Sequence, residues 1–239
     1  MISVVFYFAT PGSDPTTRAA MLAGRIGWMD SPAQGNKRPP QVMWAADSGC
    51  FNADRYPGDE AWLRWLRRSS PDARACGFAT APDVVGSHTR TLARSVPWLP
   101  VIRNLGYRAA FVAQNGACAT DLPWDEFDVV FLGGTLECRE CGLISRAGRR
   151  AHRHEPCPEC GRVLTEWKLG PAARDIVSAA KVRGVSTHLG RANSLRRLRY
   201  AAEIGIDSAD GTFLTFAPSR NITRLLTWLD VLDGCPRAS

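Results

Sequence analysis

The sequence predicts an α/β protein, a (β/α)8 barrel of the TIM type carrying a small four-cysteine insert. Three observations lead there. Seven short apolar runs rich in Val, Phe and Ala recur without strict alternation, the pattern of strands buried on both faces of a parallel sheet. Helical periodicities lie between several of them, so strands and helices alternate. The length, 239 residues, suits a single α/β barrel domain. An open doubly wound sheet is the other architecture that such alternation allows.

The elements follow in order. Ser3–Phe8 is the first strand; no basic residues precede it, so it reads as buried structure and not as a signal peptide. Ser31–Pro40, with its Pro, Gly and Asn, reads as a surface loop. Val42–Ala46 is the second strand, and the helix Glu60–Arg68 sets Trp62, Leu63, Trp65 and Leu66 among three arginines. Ala75–Ala79 is the third strand. In Ser87–Leu105, Leu92, Val96, Leu99 and Ile102 recur near i, i+3, i+4 spacing, which predicts a helix. Ala110–Ala113 and Val129–Leu132 are the fourth and fifth strands. After the insert come the helix Pro171–Arg183, the strand Val185–His188, the helix Ala192–Ile204 with Gly205 as its C-cap, and the strand Ile206–Ser208. Thr212–Phe216 is the candidate for the eighth strand, although the gap before it is too short for a helix. Asn221–Leu232 is the terminal helix, with Ile222, Leu225, Leu226 and Leu229 apolar. The barrel is thus assigned to 1–137 and 163–239, and the insert to 138–162.

Composition limits the function classes. A 45% hydrophobic fraction excludes a disordered chain. No run of 18 apolar residues exists, which excludes a membrane-spanning helix, and no membrane partner is expected. Thirty basic against 23 acidic side chains give a net charge of +7, which favours an anionic partner, nucleic acid first; a solvated basic surface is the plainer reading. With no secretion signal, the eight cysteines imply a reducing, cytoplasmic setting and thiol or metal chemistry.

Cys50, Cys76, Cys118 and Cys235 are scattered. Cys138-Arg-Glu-Cys141 and Cys157-Pro-Glu-Cys160 are two knuckles fifteen residues apart, the spacing of a zinc ribbon. Four thiolates fill a tetrahedral shell, so the expected Zn2+ is structural. His152 and His154 lie between the knuckles, where exposed loop histidines beside Arg149, Arg150 and Arg153 are expected in preference to ligands. The ribbon holds six arginines against three glutamates, which suits either phosphate contact or a solvated brace.

Chemistry in parallel α/β proteins gathers at the carboxyl ends of the strands. Those ends read Asp47-Ser-Gly-Cys-Phe-Asn52, Thr80-Ala-Pro-Asp83, Gln114-Asn-Gly116, Gly133-Gly-Thr135, His188-Leu-Gly-Arg191 and Asp207-Ser-Ala-Asp-Gly211. Each alone is an ordinary turn or cap. Together, carboxylates at separate strand ends repel unless a cation or a polar ligand joins them, and a purine-like base offers the donors. Gln114 can bind a base edge twice, and Gly133 and Gly134 allow close approach.

These motifs, in this order from about residue 42 to 216, resemble the tRNA-guanine transglycosylase superfamily. Asp47–Asn52 is similar to its Asp-Ser-Gly-Gly-Phe/Tyr-Gln, with Cys50 and Asn52 departing from it; Val112–Gly116 to its Val-Gln-Gly-Gly; Gly133-Gly134 to its base-binding glycines; and Ile206–Gly211 to its Val-Asp-x-x-Asp strand end. The Cys-x-Cys-x-x-Cys zinc motif of the tRNA enzymes is missing after Asp210, and a four-cysteine ribbon stands earlier instead. Together with the shorter chain, this resembles the phage and bacterial branch that inserts 7-deazaguanines into DNA.

The resemblance implies roles. Asp210 is the nucleophile of a covalent glycosyl intermediate, and Asp47 moves protons to the departing guanine and from the incoming base, a 7-deazaguanine such as 7-cyano-7-deazaguanine. Asp83, Gln114, Gly133 and Gly134 read the base edge, and Phe51 and Leu189 cover its faces. Asp207 is expected to be structural, and His188 a core or supporting histidine sooner than an acid. Arg191, Arg196 and Arg197 are expected phosphate contacts, against the plainer view of a solvated helix face. DNA is the expected polymer, with tRNA the alternative substrate and a non-catalytic zinc-ribbon nucleic-acid-binding protein the alternative class.

Overall fold

The computed structural model describes residues 5–10, 12–145 and 156–234. In chain order the strands are β1 (Phe6–Ala9), β2 (Gly27–Asp30), β3 (Trp44–Ala46), β4 (Cys76–Thr80), β5 (Ala109–Ala113) and β6 (Val129–Leu132). The insert adds β7 (Leu136–Glu137), β8 (Ile144–Ser145) and β9 (Thr165–Glu166), and β10 (Ser186–Leu189) and β11 (Ser208–Gly211) follow. β1 to β6, β10 and β11 form a closed parallel barrel, sealed where Phe8 of β1 stands beside Asp210 of β11. The fold is therefore a (β/α)8 TIM barrel.

The eighth strand is β2, and Thr212–Phe216 is not a strand. β2 is short and begins with glycine, which hides it in a pattern search. The glycine is required: a Cβ on Gly27 would lie 2.6 Å from the Phe8 ring and 2.8 Å from the Phe6 ring. Phe213–Thr215 forms a 3-10 turn instead, with Phe213 packed on Trp228 at 4.6 Å between ring centres.

The helices are α1 (Pro15–Leu22), α2 (Asp59–Ser69), α3 (His88–Ser95), α4 (Leu99–Asn104), α5 (Pro171–Val182), α6 (Leu195–Ile204) and α7 (Pro218–Leu232). α1 is capped by Asp14, whose Oδ2 accepts from Thr17 N at 2.8 Å, with Pro15 in its first turn. The single helix expected over Ser87–Leu105 is α3 and α4 joined by a 3-10 turn at Val96–Trp98, because Pro97 and Pro100 each lack an amide donor. Gly205 caps α6 in the left-handed region, φ 78°.

Two apolar layers result. The barrel interior holds Phe8, Met29, Ala45, Phe78, Ala110 and Val129, with Phe6 and Phe131 against them. Phe8 meets Phe78 edge-on at 5.8 Å, and Phe78 meets Phe131 at 6.1 Å. These rings plug the barrel, so only its rim can hold a ligand. The larger layer lies between strands and helices and includes Trp28, Trp44, Trp62, Leu66, Leu99 and Ile102.

The insert is a small antiparallel sheet in the order β8-β7-β9. It begins at Leu136 and ends at Glu166, wider than the span 138–162 marked by its cysteines. It leaves the barrel at the carboxyl end of β6 and is pinned there: Asn115 Nδ2 donates to Glu137 Oε2 at 3.0 Å, and Thr135 Oγ1 donates to Ser145 O at 2.8 Å. His152, His154, Arg149, Arg150, Arg153 and Cys235 lie outside the described residues.

Candidate active site

Asp210 is the next-to-last residue of β11, at the rim. Its Oδ1 accepts from the Arg191 backbone N–H at 3.1 Å and from His188 Nε2 at 3.1 Å. His188 is fully buried; its Nδ1 shares a hydrogen bond with Ser208 Oγ at 2.9 Å. Its ring sits 4.5 Å from Phe131, 4.7 Å from Phe78 and 6.1 Å from Phe8. Alternation along β10 thus sends His188 into the barrel, where it supports Asp210 from below. Asp210 Oδ2 has no hydrogen-bond partner among the described residues and is the oxygen left for an incoming group.

Asp47 follows β3. Its backbone N–H bonds to Asp30 O at 2.8 Å, and its Oδ1 accepts from Gly49 N at 3.1 Å. Burial raises its pKa first; the Gly49 N–H opposes this, the Asp210 carboxylate raises it further, and Arg191 and His188 lower it. Asp47 and Asp210 therefore share one field at one mouth.

The third carboxylate, Asp83, is buried after β4. Burial, then the nearby Asp47 charge, push its pKa up to about 7, opposed by Gln114. Gln114 Nε2 donates to Asp83 Oδ2 at 2.6 Å, while its Oε1 accepts from Gly86 N at 2.9 Å and Gly134 N at 3.0 Å. One amide thus ties together the ends of β4, β5 and β6. The two glycines earn their small size against protein: a Cβ on Gly133 would lie 2.8 Å from Gln114 Nε2, and one on Gly134 would lie 2.6 Å from the Trp167 ring.

Phe51 is 40% exposed, with the Arg191 guanidinium 3.3 Å above its ring centre. That face accepts a flat delocalised group. Leu189 does not share the mouth. It alternates with His188, points outward and is fully buried in the layer against the helices, so the expected base-covering role is corrected to packing. Asp207 lies at the opposite end of β11, where its Oδ2 accepts from Thr187 N at 2.7 Å and Thr187 Oγ1 at 2.8 Å, joining β10 to β11.

The three arginines separate. Arg196 is exposed on α6. Arg197 is engaged internally: its Nη2 meets Glu166 Oε2 at 2.7 Å and its Nη1 donates to Arg191 O at 3.1 Å. Arg197 is thus an internal strut, which corrects its expected phosphate role. Lys168, which sequence reasoning missed, is buried, and its Nζ donates to Gly190 O at 2.6 Å. Burial, then Arg197, hold its pKa down to about 8, while Glu166 and Asp210 oppose the shift.

In the insert the sulfurs of Cys138, Cys141, Cys157 and Cys160 all lie within 4.8 Å of one another. Cys138 and Cys160 are 3.4 Å apart, and Cys141 and Cys157 are 3.5 Å apart. Sulfurs about 2.3 Å from one tetrahedral ion stand roughly 3.8 Å apart, so the cluster is the right size for a metal ion. The Cys141 and Glu140 N–H groups draw the Cys138 thiol down to about 7. Both knuckles turn tightly, with Gly142 N bonded to Cys138 O at 2.9 Å and Gly161 N to Cys157 O at 2.8 Å.

No protein-family model matches the chain, and no curated protein matches it. Among solved structures, a mandelate racemase/muconate lactonizing protein from Herpetosiphon aurantiacus aligns with 13% identity and a TM-score of 0.51, over 90% of this chain and 57% of that one. The chain thus spans little more than half of that protein. Tryptophan synthase from M. tuberculosis aligns with 14% identity and a TM-score of 0.51, over 99% of this chain and 93% of that one. At such identities the likeness shows the fold alone, the closed parallel (β/α)8 barrel. Among the described residues no helix is long and apolar enough to cross a membrane.

Proposed function

We propose that this chain is a base-exchange transglycosylase that replaces guanine in DNA with a 7-deazaguanine through a covalent Asp210–glycosyl intermediate. The observation that carries the reading is the Asp47–Asp210 pair. Two carboxylates share one mouth but not one environment: Asp210 has two donors on one oxygen, and Asp47 has one backbone donor and a raised pKa. Two carboxylates held in unlike surroundings at one mouth suit unlike roles in one reaction.

The chemistry follows. Asp210 Oδ2 attacks C1′ of the deoxyguanosine as the C1′–N9 bond breaks through an oxocarbenium-like state. The bonding pair leaves with the base, which takes a proton from the Asp47 carboxyl. The incoming 7-deazaguanine gives its N9 proton to Asp47 and attacks C1′, and Asp210 departs as carboxylate. His188 and the Arg191 N–H hold Asp210 in place for both displacements. Asp83, protonated near neutral pH, offers a donor as well as acceptors beside Gln114, which suits the mixed edge of a guanine-type base. The Phe51 ring, 40% exposed and already stacked on the flat guanidinium of Arg191, suits a planar base.

The residues of the insert fit Zn2+, with Cys138, Cys141, Cys157 and Cys160 as ligands. Four thiolates leave no place for water, so the ion's contribution is to hold the ribbon together. The net charge of +7 and the exposed Arg196 suit a polyanionic substrate.

The test is incubation of the protein with radiolabelled guanine or 7-cyano-7-deazaguanine and, separately, duplex DNA or bulk tRNA. Label entering DNA, with loss of label and of covalent adduct in Asp210→Asn, supports the proposal. Label entering tRNA alone would replace the polymer. An Asp210→Asn variant with full exchange would overturn the mechanism.

A further inference from the structure

We infer that Glu166, Arg197 and Lys168 are positioning residues through which the metal-bearing insert holds Asp210 in its working geometry. The inference rests on Asp210 being the reacting carboxylate, as proposed above, but its structural part can be tested without activity.

The argument begins at an uncommon backbone conformation. Arg191 has φ 59°, in the left-handed region that a side-chain-bearing residue rarely adopts. Such a residue persists only where its surroundings over-determine it. Here they do. Its N–H is fixed on Asp210 Oδ1 at 3.1 Å, and its carbonyl accepts from Arg197 Nη1 at 3.1 Å. The preceding carbonyl, Gly190 O, accepts from Lys168 Nζ at 2.6 Å. The following amide, Ala192 N, donates to Asp210 O at 2.6 Å.

Two of these restraints come from the insert side of the mouth. Glu166, which grips the other arm of Arg197 at 2.7 Å, is the last residue of β9. The pair is largely dry, with Arg197 14% and Glu166 10% exposed, so it is stiff and poorly screened. Lys168 lies two residues further on, in the 3-10 turn Trp167–Leu169. β9 owes its place to β7, through Leu136 and Glu137, and to the insert's own small core, where Leu164 and Leu136 pack with Cys138 and Cys157. That core is too small to hold itself without its metal. A continuous path therefore runs from the four cysteines through β9, Glu166 and Arg197 to the Arg191 N–H that meets the nucleophile.

Hydrogen exchange read by mass spectrometry on the full chain tests this, with and without chelation of the metal, in wild type and Arg197→Lys. Lysine keeps the charge but cannot bridge Glu166 and Arg191 O together. Chelation should speed exchange of the 189–193 amides about 10-fold or more in wild type, while amides of β3 and β4 on the far side of the barrel stay protected. Arg197→Lys with metal bound should show the same faster exchange in 189–193 alone, and chelation should add little to it. Unchanged protection of 189–193 on chelation overturns the inference, as does uniform loss across the barrel. Once exchange activity is established, Arg197→Lys should lower the single-turnover rate of adduct formation about 10-fold with DNA affinity changed less than about 2-fold, the signature of lost positioning. A wild-type chain that forms no adduct defeats the functional reading and leaves the exchange measurement to decide the relay.

Discussion

Asp83 offers the sharpest physical test, because its burial is a stability statement as well as a functional one. Its pKa rises from 3.8 to about 7, through burial first and the Asp47 charge second. The folded chain thus binds this proton more tightly than the unfolded chain does. Stability contributed by the site is greatest below about pH 4, falls as pH rises toward 7, and is level above that. Between pH 5 and 8.5 the folded state holds the proton over about two pH units in which the unfolded state does not. At 1.36 kcal/mol per unit this is a loss of roughly 3 kcal/mol. Asp83→Asn removes the titration and keeps an oxygen for Gln114 Nε2. Urea unfolding of both proteins at pH 5 and pH 8.5 gives four free energies. The variant's stability relative to wild type should improve by roughly 2–3 kcal/mol from the lower to the higher pH, whatever fixed cost the amide carries. The amide keeps a donor and an acceptor, as the protonated carboxyl does, so the dependence of base affinity on the Asp83 proton should disappear. A relative stability that does not move with pH, or moves the other way, would refute the claim that this carboxyl is kept protonated by its surroundings.

Three further outcomes follow from the packing. Cys141→Ser should reduce bound metal from one ion per chain to less than half, measured by elemental analysis, and full retention would remove the four-thiolate site. Arg197→Ala should destabilise by about 3 kcal/mol in denaturant titrations because it breaks a largely dry ion pair and removes the donor to Arg191 O, whereas Arg196→Ala should leave stability unchanged and lower the salt slope of DNA binding by about 0.9. Gly27→Ala should cost about 1–3 kcal/mol in thermal or urea unfolding, because the added methyl meets the Phe6 and Phe8 rings, and a neutral effect would refute that steric reason for the glycine.

Sequence reasoning reached what local pattern encodes. Val129–Leu132 was readable to the residue, and the cysteine knuckles announced themselves, because both signals are complete within a few positions. β2 was not, since Gly27 interrupts the apolar run and its reason for being glycine is two phenylalanines on another strand. The start of α1 is legible in Asp14-Pro15, a cap followed by a helix-starting proline. Pro97 and Pro100 announced the break between α3 and α4. Leu189 was misplaced by parity: once His188 faces inward, its neighbour cannot. Lys168 and the Glu166–Arg197 pair were beyond reach. They stand in the exit of the insert and on α6, and only the closed barrel brings them to the carbonyls of Gly190 and Arg191.

The mouth also explains why three carboxylates can coexist in one small, partly dry space. Charges this close are tolerated only if donors are shared unequally or protons are retained. Gln114 serves Asp83 with a single N–H, and Asp83 keeps a proton to about pH 7. Gly49 serves Asp47 with a single N–H, and burial raises its pKa. Asp210 alone receives both a backbone N–H and an imidazole nitrogen on one oxygen, with a buried lysine and two arginines in its surroundings. Asp210 thus has the most donors on one oxygen of the three, and its Oδ2 has no hydrogen-bond partner among the described residues. Two of the supports for that arrangement, Lys168 and the arginine gripped by Glu166, are set by the chain emerging from the four-cysteine insert. A barrel mouth crowded with like charges needs rigid, well-placed donors, and a four-cysteine ribbon docked at the end of β6 is a compact way to supply them.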